Sequence, residues 1–128
     1  MIRSALILLF ALSTCSKDET VSGQTNTADV WLLTEMDNAP VSRRITLKFP
    51  EEGRISGQAP CNKYSASQTV PMPWFEIKGF GATKMACPDL NLETQYFGLL
   101  QKMTYAEVAA NVLILSNDNG PMLVYKNN

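Results

Sequence analysis

A chain of 128 residues, 45% hydrophobic and 18% charged, has the composition of one ordinary globular domain with little room for a second. Eleven Lys and Arg against twelve Asp and Glu leave a net charge of -1, so the chain offers neither a basic surface for nucleic acid nor an acidic run of the kind that keeps a chain disordered. It contains no His, which removes the usual acid/base group at neutral pH, the usual metal ligand and every Ser-His or Cys-His nucleophile pair, and with them most hydrolase mechanisms.

Arg3 precedes an unbroken apolar octet, residues 5–12, followed by Ser13, Thr14 and Cys15. As a helix the octet would reach only about 12 Å, at roughly 1.5 Å per residue, against roughly 30 Å of hydrocarbon. A positive start, a short apolar run and small residues at a break in hydrophobicity make residues 1–14 an export signal. Leu12, Ser13, Thr14 and Cys15 resemble the lipobox of bacterial lipoproteins, with Thr14 where a smaller residue is usual. That resemblance makes Cys15 the lipid-bearing first residue of the mature chain, and Ser16 implies sorting to the outer membrane, facing the periplasm. Cleavage after Ser13, giving a soluble periplasmic protein, is the alternative. Residues 15–28 are polar and nearly devoid of large apolar side chains, and are expected to be a tether.

The domain is expected over 29–126, just enough chain for one core. Residues 30–33 open it as a strand. Residues 45–49 alternate apolar and polar, 50–53 turn, and 54–57 return, predicting a hairpin. Residues 74–77 and 105–108 are weaker strand candidates. Leu92, Tyr96, Leu99, Leu100 and Met103 recur at helical spacing, with Glu93, Gln95, Gln101 and Lys102 on other faces, which predicts one amphipathic helix over about 90–103, capped by Asp89 or Asn91. Residues 113–116 and 122–125 flank the turn formers Asn117, Asp118, Asn119 and Gly120 and form a second hairpin. The fold class is therefore α+β and strand-dominated: an antiparallel sheet or small open barrel with the helix packed on it. A calcium loop at 117–120 fails on register, because Leu115 would occupy the first ligand position. Arg43 and Arg44 read as a solvated strand end. Trp31, Trp74 and Phe75 are expected in the core, although 71–75 could instead present an exposed aromatic ledge.

Gly53, Arg54 and Gly57, then Cys61, Asn62 and Tyr64, then Thr83, Lys84, Met85, Ala86 and Cys87 follow one another in order. With Trp31 and Leu33 at the start, Leu47 to Phe49 before a turn, a helix carrying Glu and a closing hairpin, they resemble the META domain family, which includes the bacterial heat-inducible HslJ proteins. The resemblance covers about residues 30–125, and Pro60 stands where Gly is common. It implies a small antiparallel domain of bacterial envelope proteins, often lipid-anchored and associated with heat shock and novobiocin tolerance, with no catalytic residues to carry over.

In an exported chain with three Cys, one of them at the lipobox, Cys61 and Cys87 are expected to form a disulfide. Two buried thiols are the alternative, while a catalytic thiolate lacks a His to activate it and a metal site lacks ligands. Asn62 and Thr83 read as turn-fixing residues, with Tyr64 and Lys84 beside them; a ligand-binding role for these four is the competing reading. Together these features predict a non-catalytic domain with no cofactor and no metal, a monomer held to the membrane by an N-terminal lipid and contacting an unidentified envelope protein. The alternative is a small-molecule binding module, with a pocket between helix and sheet lined by Tyr64, Trp74 and Tyr96.

Overall fold

A computed structural model describes residues 17–127. The expected export signal and the lipid-bearing Cys15 lie outside the described residues. A 3-10 turn, Val21–Gln24, precedes nine strands and one helix: β1 (Trp31–Met36), β2 (Ala39–Pro40), β3 (Thr46–Leu47), β4 (Arg54–Gln58), β5 (Lys63–Gln68), β6 (Ile77–Ala82), α1 (Leu90–Leu100), β7 (Tyr105–Ala109), β8 (Val112–Ser116) and β9 (Met122–Lys126). All strand pairs are antiparallel. One sheet has the order β2-β1-β9-β8-β7, with β3 also on β1, and the other has the order β4-β5-β6. The fold is strand-dominated α+β as expected, and the sheets do not close into a barrel.

Period-two patterning explains the register. In the β8–β9 hairpin, Leu113 lies opposite Tyr125 and Leu115 opposite Leu123, and all four are buried, while the residues between them point away. The connecting turn is held by the Asn119 N-H donating to Asn117 Oδ1 at 2.9 Å, with Gly120 at φ 100°. The expected hairpin of 45–49 with 54–57 is shared between sheets: Leu47 pairs with Trp31 in the large sheet, whereas Lys48 and Ser56 exchange backbone hydrogen bonds with the small one. This short segment joins the two layers, and Ile45, Leu47 and Phe49 bury their side chains at the junction.

Gly57 stands at the same junction. A Cβ there would run into the Thr46 carbonyl oxygen and come within 2.5 Å of Tyr64 Oη. Backbone cannot yield as a flexible side chain can, so Gly57→Ala is expected to destabilise the fold by about 3 kcal/mol through overpacking. Thermal melting of the variant checks this, and a melting point within a degree or two of the parent would contradict it.

Three expectations are corrected. First, residues 17–28 are not wholly a free tether. Val21 is 0% exposed and joins the core, the Met72 N-H donates to the Glu19 carbonyl at 2.8 Å, and Asp18 accepts from the Thr20 backbone N-H and from the Thr20 and Ser22 hydroxyls. One well-placed Val and a side-chain-bonded turn anchor a segment whose composition reads as disordered. Second, Trp74 is not a core residue but 53% exposed, whereas Trp31 and Phe75 are buried. The Phe75 N-H donates to the Thr104 carbonyl at 2.8 Å and its ring turns inward, so its neighbour in extended chain turns outward. The strand expected at 74–77 shrinks to a single bridge between Trp74 and Tyr105, and β6 begins only at Ile77. Third, the helix ends at Leu100 rather than about 103, because Lys102 and Met103 donate to the carbonyls of Leu99 and Leu100 and tighten the last turn. Asp89 occupies the N-cap position, but its carboxylate pairs with Arg43 Nε at 3.1 Å and makes no capping bond. Arg43 is exposed, as expected, and also pairs with Asp89.

Candidate functional site

The motif residues converge where the β4–β5 connection, the end of β6 and the first turn of α1 meet. Cys61 and Cys87 are joined by a disulfide, with Cα atoms 5.5 Å apart, as the cysteine count predicts. Between them lies Asn62, buried, with every hydrogen-bonding position of its side chain filled. Its Nδ2 donates to the Met85 carbonyl at 2.9 Å and to Glu93 Oε2 at 2.6 Å. Its Oδ1 accepts from Thr83 Oγ1 at 2.9 Å and from the Met85 N-H at 2.6 Å. Thr83 Oγ1 in turn accepts from the Lys63 N-H at 3.2 Å. One amide thus ties two loops and a helix together.

Glu93 is the residue that sequence reasoning placed on the wrong face. It is only 2% exposed, and its Oε1 accepts from the backbone N-H groups of Cys61, at 2.9 Å, and Asn62, at 2.7 Å. A buried carboxylate without a cation beside it is tolerable here because three donors aim at it and it sits in the first turn of α1, where the helix dipole favours negative charge. A signal was present: 93, 96, 100 and 103 are spaced 3, 4 and 3, and Tyr96, Leu100 and Met103 are all buried, so Glu93 lies on the core stripe by position.

Tyr64 belongs to a second, adjoining network. Its hydroxyl donates to the Thr46 carbonyl at 2.7 Å and contacts Tyr96 Oη at 2.7 Å, which contacts Tyr125 Oη at 2.8 Å. Since Tyr64 has one proton and gives it to Thr46, the order of donation is fixed: Tyr125 donates to Tyr96, and Tyr96 to Tyr64. Burial, and then the proximity of the phenols to one another, pushes all three well above the ordinary value of 10.0. The neutral phenol is therefore favoured in the fold. Their contribution to stability is complete below pH 10 and is lost as pH rises from there toward the raised native values, because only the unfolded chain sheds these protons. Urea unfolding is expected to show stability flat from pH 7 to 9 and falling steeply above 10, and Tyr96→Phe is expected to soften that slope. An unchanged slope in the variant would contradict this account.

Lys84 is exposed and outside both networks. Tyr64 and Tyr96 are buried with their hydroxyls engaged, while Trp74 lies on another surface beside Tyr105, so these three do not line one pocket between helix and sheet. Among the described residues, no group of three or more metal-ligating side chains occurs, and Trp31 Nε1 is the one buried side-chain polar atom without a partner.

The META domain family model matches residues 24–128. The chain belongs to the META domain family. No curated protein sequence matches it significantly. Among solved structures it is similar to a protein determined by NMR, with 26% identity and a TM-score of 0.64, covering 82% of this chain and 92% of that one. A Burkholderia xenovorans protein, also determined by NMR, shares 22% identity with a TM-score of 0.63 over 84% of this chain and 86% of its own. A DUF4847 family protein from Bacteroides vulgatus, known from a crystal structure, shares 15% identity with a TM-score of 0.54 over 66% of this chain and 59% of its own. The last two likenesses concern the fold alone. The META motif letters Cys61, Asn62, Thr83 and Cys87, with the helix Glu, are thus the residues that pin two loops to α1.

Proposed function

We propose that this META domain protein is a non-catalytic lipoprotein of the bacterial envelope that supports tolerance of heat or antibiotic stress through contacts with another envelope protein. The observation that carries the reading is the closed state of the motif cluster. Asn62 has all its side-chain donors and acceptors bonded within the fold, Glu93 holds three internal donors, and Cys61 and Cys87 are bonded to each other. A reacting site needs a nucleophile or a proton carrier free to meet substrate, and these groups are committed to architecture. A disulfide also suits an oxidising compartment, which agrees with the export signal and with Cys15 as the anchor.

In this reading the lipid on Cys15 holds a monomer at the outer membrane facing the periplasm, and the exposed surface makes the contacts. Deletion in the native host, followed by heat and novobiocin challenge, tests it, with cross-linking in intact envelopes to capture the contact. Survival is expected to fall and to return with the wild-type chain, and one envelope protein is expected to cross-link reproducibly. Unchanged survival with no cross-linked partner would sink the proposal.

A further inference from the structure

Away from the motif cluster, an open groove of about 840 Å3 lies where the 71–76 segment meets the start of β7 and the 117–120 turn. Its apolar lining includes the pair Trp74 and Tyr105, whose ring centroids are 5.3 Å apart with 35° between planes, beside Val70, Pro71, Phe75 and Met103. Glu76, Gln101, Lys102, Thr104, Asp118 and Asn119 also line it. A lone exposed aromatic residue needs no explanation, but two rings in one concavity with polar side chains around them form a recognisable chemical pattern.

The pair is held in place before any ligand arrives. The Trp74 N-H donates to the Pro71 carbonyl at 3.0 Å, the Ala106 N-H to the Pro73 carbonyl at 2.8 Å, and the adjacent Phe75 is rooted in the core. Little ordering is then left to be done on binding, which favours affinity.

We propose that this groove binds a saccharide. Trp74 and Tyr105 receive the apolar C-H face of a pyranose ring against their electron-rich faces, and Glu76, Gln101, Asp118 and Asn119 hydrogen-bond its hydroxyls. The lining argues against the other classes. Two carboxylates, Glu76 and Asp118, against one cation, Lys102, oppose an anionic ligand. A wholly apolar ligand would desolvate these polar side chains without replacing their water. A quaternary ammonium ion is best held by a cage of rings, whereas Trp74 and Tyr105 form a pair, and the Lys102 ammonium in the same lining opposes a cation. The inference rests on the groove alone and is independent of lipidation and of the protein contacts proposed above.

The chain has two tryptophans, of which Trp31 is 1% exposed, so a ligand-induced change in emission reports mainly on Trp74. The full chain, purified after export, is titrated with chitotetraose, cellotetraose and maltotetraose, and with tetramethylammonium as a cationic control. At least one saccharide is expected to blue-shift the emission with a Kd of about 1 mM or tighter. Calorimetry with the same sugar is expected to show binding weakened at least about tenfold in Trp74→Ala and several-fold in Asn119→Ala, with circular dichroism melting unchanged. Should Trp74→Ala fail to fold, Gln101→Ala and Asn119→Ala carry the same expectation from the rim. No response to any of the three sugars, an equal calorimetric affinity in the variants, or a response to tetramethylammonium alone would each overturn the proposal.

Discussion

Replacing Glu93 with Ala is expected to remove about 4 kcal/mol of stability, a large part of what a small domain has. The carboxylate accepts from the backbone N-H groups of Cys61 and Asn62 and from Asn62 Nδ2 in a site closed to water. Truncation leaves all three donors buried and unpaired, and each lost partner costs roughly 1–3 kcal/mol before local relaxation. Glu93→Gln is expected to lose about 2 kcal/mol: one oxygen can still serve the two backbone donors, but its amide NH2 then faces Asn62 Nδ2, donor against donor. Urea unfolding at neutral pH measures both, with the midpoint moving and the slope unchanged. If Glu93→Leu were as stable as the parent, the network would not be the structural tie described here.

Removing the disulfide is the second large effect. Cys61 and Cys87 are 26 residues apart in sequence, and the loop they close contains all of β5 and β6. Constraining such a loop in the unfolded chain is worth roughly 3.5 kcal/mol in the chain-entropy treatment, so Cys61→Ser with Cys87→Ser, or simple reduction, is expected to lower stability by about that amount. The effect should not add to that of Glu93→Ala. The Cys61 N-H is one of the donors on Glu93, and Leu90, which opens α1, donates its N-H to the Cys87 carbonyl at 3.1 Å, so both changes loosen the same junction. Full additivity in the triple variant, measured by denaturation with and without reductant, would show that the two ties act separately.

What could be read in the sequence was whatever depends on local pattern. The alternation around Asn117 to Gly120 predicts β8 and β9 because one face of each strand must be buried and the turn chemistry leaves little choice of register. The helix can be read from Leu90 onward, and the disulfide follows from counting Cys in a chain expected to be exported. The failures occur where position outweighs residue type. Glu93 reads as part of a polar face because it is charged, although the spacing of Tyr96, Leu100 and Met103 places it on the buried stripe, where three donors wait for it. Trp74 reads as a core residue because it is large and apolar, but Phe75 takes the inward position and the alternation of extended chain carries Trp74 out, as the alternative of an exposed ledge at 71–75 has it. β6 contains Gly79, Gly81 and Lys78, which hide a strand that tertiary pairing with β5 enforces. Residues 17–24 look like a tether by composition, yet Val21 inserted against the core, the Met72 to Glu19 backbone bond and the bonds to Asp18 dock them.

The central claim is that Cys61 and Cys87 staple the domain and, in the function proposed above, that Cys15 carries the lipid anchor. Intact mass of the protein purified from native-host membranes, taken before and after reduction and alkylation, tests it most directly. The account predicts a mature chain that begins at Cys15 and carries acyl mass, with two further thiols alkylated only after reduction. An unacylated chain whose Cys61 and Cys87 alkylate freely without reductant would contradict both the anchor and the staple.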